Sequence, residues 1–464
     1  MNNDEIYIAI PGFACIIMFL CFLTLLWRRD KQMPFFDIGM FCAFAILVYT
    51  VYPLMNYWAG GMQFGIFSDA RLFRYDVKPF ELGLFHLRHV LYFFFFIVFY
   101  LLFRRKGALV TGNIIFPRQS TMHLIAISLL FLTAYFFVLR WETGIVYNPS
   151  YTSGEYFKNF QRLSDLPIIL VQISGKLQGI FFISKLALLL MLITVCRQRK
   201  WFLILMTWLI IEIIYTVHVK GSRANMLLFI ITAFLFYHRI IKPFNAKFLV
   251  ITSAAVFVFF ILIGLARDFR NVDNFNSVFS HKNMNVLAAN NEFQSMLGTE
   301  YDVYQRKLKG AVLPWYLYMN DFISIFPPRQ IIPFEKVSAS EWYLREIGLS
   351  GTGQGFMWGV ISQSIVGLDW IELILRGALL GYVLAKIHNW YLGHQTGFLE
   401  TLFYVFLCIN IYNTFRDTTF AFLVNIVWQI IPFYILLCIG RILVPKKTYA
   451  RNLEYGQTYL NAHS

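Results

Sequence analysis

Three arginines stand where apolar runs begin or end, and their placement points to chemistry on an anion. Arg223 lies in the polar turn Lys220-Gly221-Ser222-Arg223-Ala224, which separates the apolar stretches 201–219 and 225–237. Arg267 closes the stretch 247–266, and Arg416 with Asp417 separates 397–415 from 419–443. An arginine in hydrocarbon costs several kcal/mol, so each must reach a water interface. Its guanidinium brings a fixed charge and a fork of donors that matches phosphate. Arg223 also opens a helix, where free backbone N–H groups and the positive end of the macrodipole favour anions. Brought together, the three would hold one anion at the outer membrane interface, with Asp417 fixing the Arg416 guanidinium and Arg270 and Arg329 as supporting cations. The plainer alternative is a set of polar hairpin tips.

A proton acceptor is harder to choose. Asp268, Glu292, Glu300, Asp302, Asp321, Glu341 and Glu346 all fall in one long loop expected outside the membrane. Glu341 and Glu346 are preferred as catalytic carboxylates because they precede Gly351-Thr352-Gly353-Gln354-Gly355. Those glycines lack the preceding strand and the Gly-Lys-Ser/Thr of a phosphate loop, so they read as a sharp turn. His86 and His89 share a helix face, but no third ligand lies near them in the sequence. Neither a metal nor a cofactor is expected. Lys185 and Glu212 fall inside apolar runs, where ionisable groups are either part of a proton path or an interhelical pair.

The elements that position these residues are membrane helices. The chain is 58% hydrophobic and 14% charged, with 50 Phe, 26 Tyr and 11 Trp, more apolar surface than a soluble domain covers. Its six cysteines lie in or beside apolar runs without CxxC spacing, and read as small buried hydrophobes. The first run lacks a basic leader and a cleavage site, so it is expected to remain as an anchor. The net charge of +15 forms no long basic block of the kind that binds nucleic acid.

Runs of the roughly 20 residues needed to span a bilayer predict about eleven helices: 6–27, 37–58, 87–103, 121–140, 177–196, 201–219, 224–241, 247–266, 370–390, 397–415 and 419–443. If all span, the basic clusters at 28–31, 104–106, 197–200, 238–247 and 446–451 fall on one side, which the charge rule assigns to the cytoplasm. The N-terminus is then outside and the C-terminus inside. The chain divides into eight helices over 1–266, a large outer loop over 267–369, and three helices with a cytoplasmic tail over 370–464. Within the loop an amphipathic helix is expected at about 299–325 and a second one at 338–349, with Ser338 or Ser340 as cap. The apolar stretch 356–368 is short and reads as re-entrant or interfacial.

The motifs Val219-Lys220-Gly221-Ser222-Arg223-Ala224-Asn225, Leu265-Ala266-Arg267, Asp321-Phe322-Ile323-Ser324-Ile325-Phe326-Pro327-Pro328-Arg329 and Phe415-Arg416-Asp417 occur in this order on one expected face. Together they resemble the Wzy-type O-antigen polymerases, which are related to enterobacterial common antigen polymerases and more distantly to O-antigen ligases. The likeness covers about 200–440, and the ligases' catalytic histidine has no counterpart here. The resemblance implies an all-α polytopic protein of the bacterial inner membrane with a GT-C-like fold and a large, partly helical periplasmic loop. It implies a metal-independent glycosyltransferase that joins undecaprenyl-diphosphate-linked repeat units, donor and acceptor both being such lipids, with a chain-length regulator as partner. Arg223, Arg267 and Arg416 would bind the diphosphate. The competing expectation is a lipid-linked oligosaccharide flippase or another polytopic transporter, although such carriers usually show paired halves.

Overall fold

The computed structural model describes residues 3–30, 35–59, 79–107, 114–115, 119–143, 168–196, 199–218, 223–244, 292–323, 339–348, 358–416, 423 and 426–443. Among these the chain is helical and contains no strand beyond an isolated bridge between Ile115 and Gly397. The first helices are α1 (Asn3–Asp30), α2 (Ile38–Ala59), α3 (Pro79–Phe103) and α4 (Gln119–Thr143). Then come α5 (Ile168–Val195), α6 (Arg199–His218) and α7 (Arg223–Ile240). The described part of the expected loop holds α8 (Glu292–Leu308), α9 (Trp315–Ile323), α10 (Ala339–Glu346) and α11 (Val360–Val366). Four elements follow: α12 (Trp370–Gly393), α13 (Phe398–Asn410), the short α14 (Asn413–Arg416), and α15 (Ile431–Leu443) after a π turn, Ile426–Ile430.

Five stretches are long and apolar enough to cross a membrane: Ala9–Asp30, Pro79–Phe103, Thr121–Val138, Leu177–Val195 and Phe398–Phe415. Their exposed surfaces agree with that reading. Ile10, Phe13, Ile17 and Leu20 form an exposed stripe on α1, while Cys15, Phe22 and Leu26 are buried on the opposite face. On α4, Ile127, Leu130, Phe131, Phe137 and Val138 are exposed. A helix that is apolar on every face, with one face open, suits lipid rather than water. The protein is an all-α membrane protein.

Of the expected segments, 247–266 lies outside the described residues, and the others contain helix. One helix outside the five apolar stretches, α12, carries Glu372, Arg376 and Lys386.

Close backbone approach holds the best-packed part together. α3 and α12 run parallel, and Gly377 and Gly381 of α12 face α3. A Cβ on Gly377 would lie 2.6 Å from the Tyr92 carbonyl oxygen, and one on Gly381 2.4 Å from that of Phe96. Small residues four apart permit this contact, which membrane helices use in place of a hydrophobic driving force. α1 covers the other side of α3, where the Phe22 ring meets Phe96 and Tyr100 edge-on.

One end of the bundle is locked by a buried polar network. Asp37 caps α2, its Oδ1 accepting the Gly39 and Met40 N–H groups at 2.8 and 3.2 Å and the Tyr100 hydroxyl at 2.5 Å. Arg104, just past α3, donates to Asp37 Oδ2 at 2.9 Å and pairs with Asp30. Arg29 donates to the Leu101 and Arg104 carbonyls, capping the free C-terminal carbonyls of α3. Arg239, near the end of α7, donates to the Tyr391 hydroxyl and the Gln395 carbonyl. This end therefore gathers the last turns of α1, α3, α7 and α12 and the starts of α2 and α13.

Burial alone would raise the Asp37 carboxyl. The attraction of His388 and Arg104 and the Tyr100 hydrogen bond together hold it below its usual range.

Candidate functional site

The described loop helices do not hang free; they close over and into the other end of the bundle. α8 seats on α2, α3 and α11. It buries Met296, Leu297, Thr299, Glu300, Tyr301, Asp302, Val303 and Tyr304, a nearly continuous run that few surface helices show. α11 is buried at every residue, against α8, α12 and α14. Tyr343 of α10 donates to Asp302 Oδ2 at 2.7 Å, and Arg306 Nε reaches the same oxygen at 2.7 Å. Tyr318 of α9 donates to Glu372 Oε2 at 2.7 Å. The loop is thus stapled to itself and to the head of α12 by hydrogen bonds that are short and mostly charge-assisted.

Two ionisable pairs mark the seam between loop and bundle. Arg88 of α3 grips Asp369 with both arms of its fork, Nε to Oδ1 at 2.7 Å and Nη2 to Oδ2 at 2.8 Å. Its guanidinium lies over the rings of Tyr304 and Trp370, 4.8 and 4.4 Å from their centroids. Asp369, at the start of α12, has a φ of 52°, which a side chain other than glycine rarely adopts. The bidentate grip and the Asp369 N–H donated to the Ser364 carbonyl at 2.8 Å brace this conformation. One residue on, His89 Nε2 lies 3.1 Å from Glu300 Oε2, and its Nδ1 lies 3.1 Å from the Thr50 hydroxyl. The His89 ring thus bridges Glu300 and Thr50, its tautomer setting which nitrogen donates. His86 stacks on His89 with ring centroids 5.0 Å apart.

Glu300 Oε1 is buried without a hydrogen-bond partner among the described residues. It faces Gly359, where a Cβ would lie 3.6 Å from it and 2.5 Å from the Phe415 carbonyl oxygen. The buried carboxylate and the last turn of α14 therefore converge on one glycine. No group of three metal-binding side chains exists among the described residues.

The arginines singled out in the sequence can be placed by their helices. Arg239 lies beside the residues that start α13, and α13 packs on α7, so the opposite ends of these two helices also lie together. At 1.5 Å per residue, Arg223 stands roughly 24 Å from Arg239, and α13 with the turn and α14 after it carries the chain from Phe398 a comparable way to Arg416. By the same measure Arg88 stands roughly 24 Å from Arg104. The backbones of Arg223 and Arg416 therefore share a level with the Arg88–Asp369 pair. α14 also packs on α11 and α2, which brings this short helix beside the seam. Arg267, Arg270, Arg329 and Asp417 lie outside the described residues.

Glu341 and Glu346 are not at this seam. They sit on the open face of α10, where Glu341 pairs with Arg345 at 3.2 Å and Glu346 is exposed. α10 turns its buried side, through Tyr343, toward Asp302. Arg88 escaped the sequence reading because it sits at the edge of the predicted run 87–103; an arginine among His86, Leu87 and His89 was the available signal. Lys185 and Glu212 resolve into an interhelical pair between α5 and α6, with the Lys185 ammonium 4.6 Å from the Phe181 ring centroid.

Comparison with protein-family models, with curated proteins and with solved structures finds no match. The functional reading therefore rests on the residues and their geometry.

Proposed function

We propose that the protein is a membrane glycosyltransferase of the repeat-unit polymerase kind. It would join oligosaccharides carried on undecaprenyl diphosphate at the bundle end that the loop covers. What supports this reading is that helix lengths put the backbones of Arg223 and Arg416 at about the level of the Arg88–Asp369 seam, beside the described loop helices. A lipid diphosphate at a membrane surface needs cations at that depth, and a folded loop beside it supplies aromatic and polar groups for sugar.

In the proposed reaction an acceptor hydroxyl attacks the donor's anomeric carbon. The carbon–oxygen bond to the diphosphate breaks, and the leaving diphosphate takes the electron pair and, directly or through solvent, the hydroxyl proton. Preorganised guanidinium groups stabilise that developing charge without a metal. Arg223 and Arg416, with Arg267 as third cation, are the residues proposed to do so. Each cation removed should cost about 2–4 kcal/mol of transition-state stabilisation, a loss of roughly 30- to 1,000-fold.

The test uses the full-length protein in lipid nanodiscs with lipid-diphosphate-linked repeat units. The expected result is a ladder of longer glycans that survives EDTA. Arg223→Ala and Arg416→Ala should lose it, with the Lys variants intermediate because they keep charge but not the fork. Full polymerisation by a well-expressed Arg223→Ala protein would sink the diphosphate assignment.

One observation favours a second reading, an ion-coupled carrier: the Lys185–Glu212 pair joins α5 and α6 within their mostly apolar sequences. That reading predicts movement of lipid-linked sugar across proteoliposomes that Glu212→Gln abolishes, and no ladder.

A further inference from the structure

α9 has two unlike faces. Leu317 is fully buried, and Leu313 just ahead of the helix is nearly so. Trp315, Tyr316 and Met319 point outward, Trp315 with 76% of its surface open. Large apolar side chains gathered this way are uncommon on a surface that meets only water. Nor is α9 loosely attached. The Leu313 N–H donates to the Val366 carbonyl at 2.8 Å, Tyr318 donates to Glu372, and the Arg376 guanidinium lies 6.0 Å from the Tyr318 ring centroid. The outward set is held in place against the head of α12.

Beside the exposed set lies an apolar face of α12. Leu368, Ile371, Leu375 and Leu379 follow one another down the open side of α12, beside α3. From Ile371 to Asn389, where the Asn389 side chain bonds the Arg105 N–H and the Phe103 carbonyl at the charged end, α12 covers roughly 27 Å. The hydrocarbon core of a bilayer is about 30 Å thick. If the charged end lies at one membrane surface, α9 stands at the other. Tryptophan and tyrosine favour that boundary, having an apolar body and a polar tip.

We infer that α9 is an interfacial helix, docked by Trp315, Tyr316 and Met319 into the headgroup region of the bilayer leaflet at the loop-covered end. It lies along the membrane and pins the loop to the lipid from which any membrane-bound substrate must arrive. The assignment is independent of what reaction the protein performs.

The experiment places a nitroxide at Met319→Cys, and separately at Trp315→Cys, in full-length protein whose six native cysteines are replaced by alanine. The protein sits in phosphatidylcholine–phosphatidylglycerol nanodiscs. Leu379→Cys serves as the lipid reference and Glu346→Cys as the aqueous one. Power-saturation spectra should give oxygen-to-nickel-chelate collision ratios at 319 and 315 several-fold above Glu346→Cys and approaching Leu379→Cys. Ratios equal to the aqueous reference would overturn the inference. So would dipolar coupling between labels on two copies, which would make a second chain the occupant.

Discussion

The His89–Glu300 contact is the residue-scale feature with the largest expected consequence. Both side chains are almost wholly buried, and each leaves the other stranded if removed. Breaking such a pair by deleting one partner typically costs about 3–5 kcal/mol, because a polar or charged group stays buried alone. Glu300→Ala should therefore lower unfolding stability by that order in a denaturation experiment in detergent. Glu300→Gln, which keeps shape and a hydrogen-bond acceptor, should lose less. Equal stability of Glu300→Ala and the parent would show that the pair does not hold the loop. Glu300 was among the sequence's acidic candidates but not preferred, since sequence does not reveal which carboxylate of a long loop the fold will bury. Glu341 and Glu346 looked better placed by their nearness to the glycine turn, yet α10 has only one buried face, and Tyr343 occupies it.

Asp37 sits in a different electrostatic setting and gives a pH prediction. Its folded pKa lies below the ordinary value of about 3.9. Its contribution to stability is therefore complete above that ordinary value and is lost as pH falls through the lower folded one. Between about pH 5 and 7 stability should not depend on this group; below about pH 4 it should fall. Thermal unfolding of Asp37→Ala should start from a lower stability at neutral pH and show a shallower acid decline. A parallel decline in both proteins would remove Asp37 from the account.

At the scale of elements, the α3–α12 contact is the sharpest sequence-structure link. Gly377 and Gly381 are spaced four apart on α12, and both touch α3 backbone. A methyl group at Gly381 has nowhere to go, and overpacking of this kind costs about 1–3 kcal/mol. Gly381→Ala should lower the unfolding midpoint, whereas Gly393→Ala, with open space around it, should not. Equal behaviour of the two would mean the helices part easily. Most of the helices themselves were legible in the sequence, because runs of apolar residues bounded by charge define them. Their partners were not: nothing in a linear pattern says that α12 would pair with α3, far earlier in the chain. Nor does it say that Arg88, Asp369, Tyr304 and Trp370 would meet.

At the scale of the whole molecule, the two ends of the bundle are unlike, and this difference bears on orientation. The Arg104 end uses Arg29, Arg104 and Arg239 to close helix ends and fix Asp30 and Asp37. These arginines belong to the basic clusters at 28–31, 104–106 and 238–247, so clusters far apart in the chain meet on one face. The charge rule assigns such a face to the cytoplasm, with the expectation that the loop-covered end faces outward. The prediction follows that single cysteines at exposed loop positions, Glu346→Cys on α10 for instance, react with a membrane-impermeant maleimide in intact spheroplasts. A cysteine at exposed Lys106, at the opposite end, should react only after lysis. The reverse pattern would invert the molecule. It would take the proposed diphosphate site away from the face where Arg223 and Arg416 are needed, and leave the carrier reading in its place.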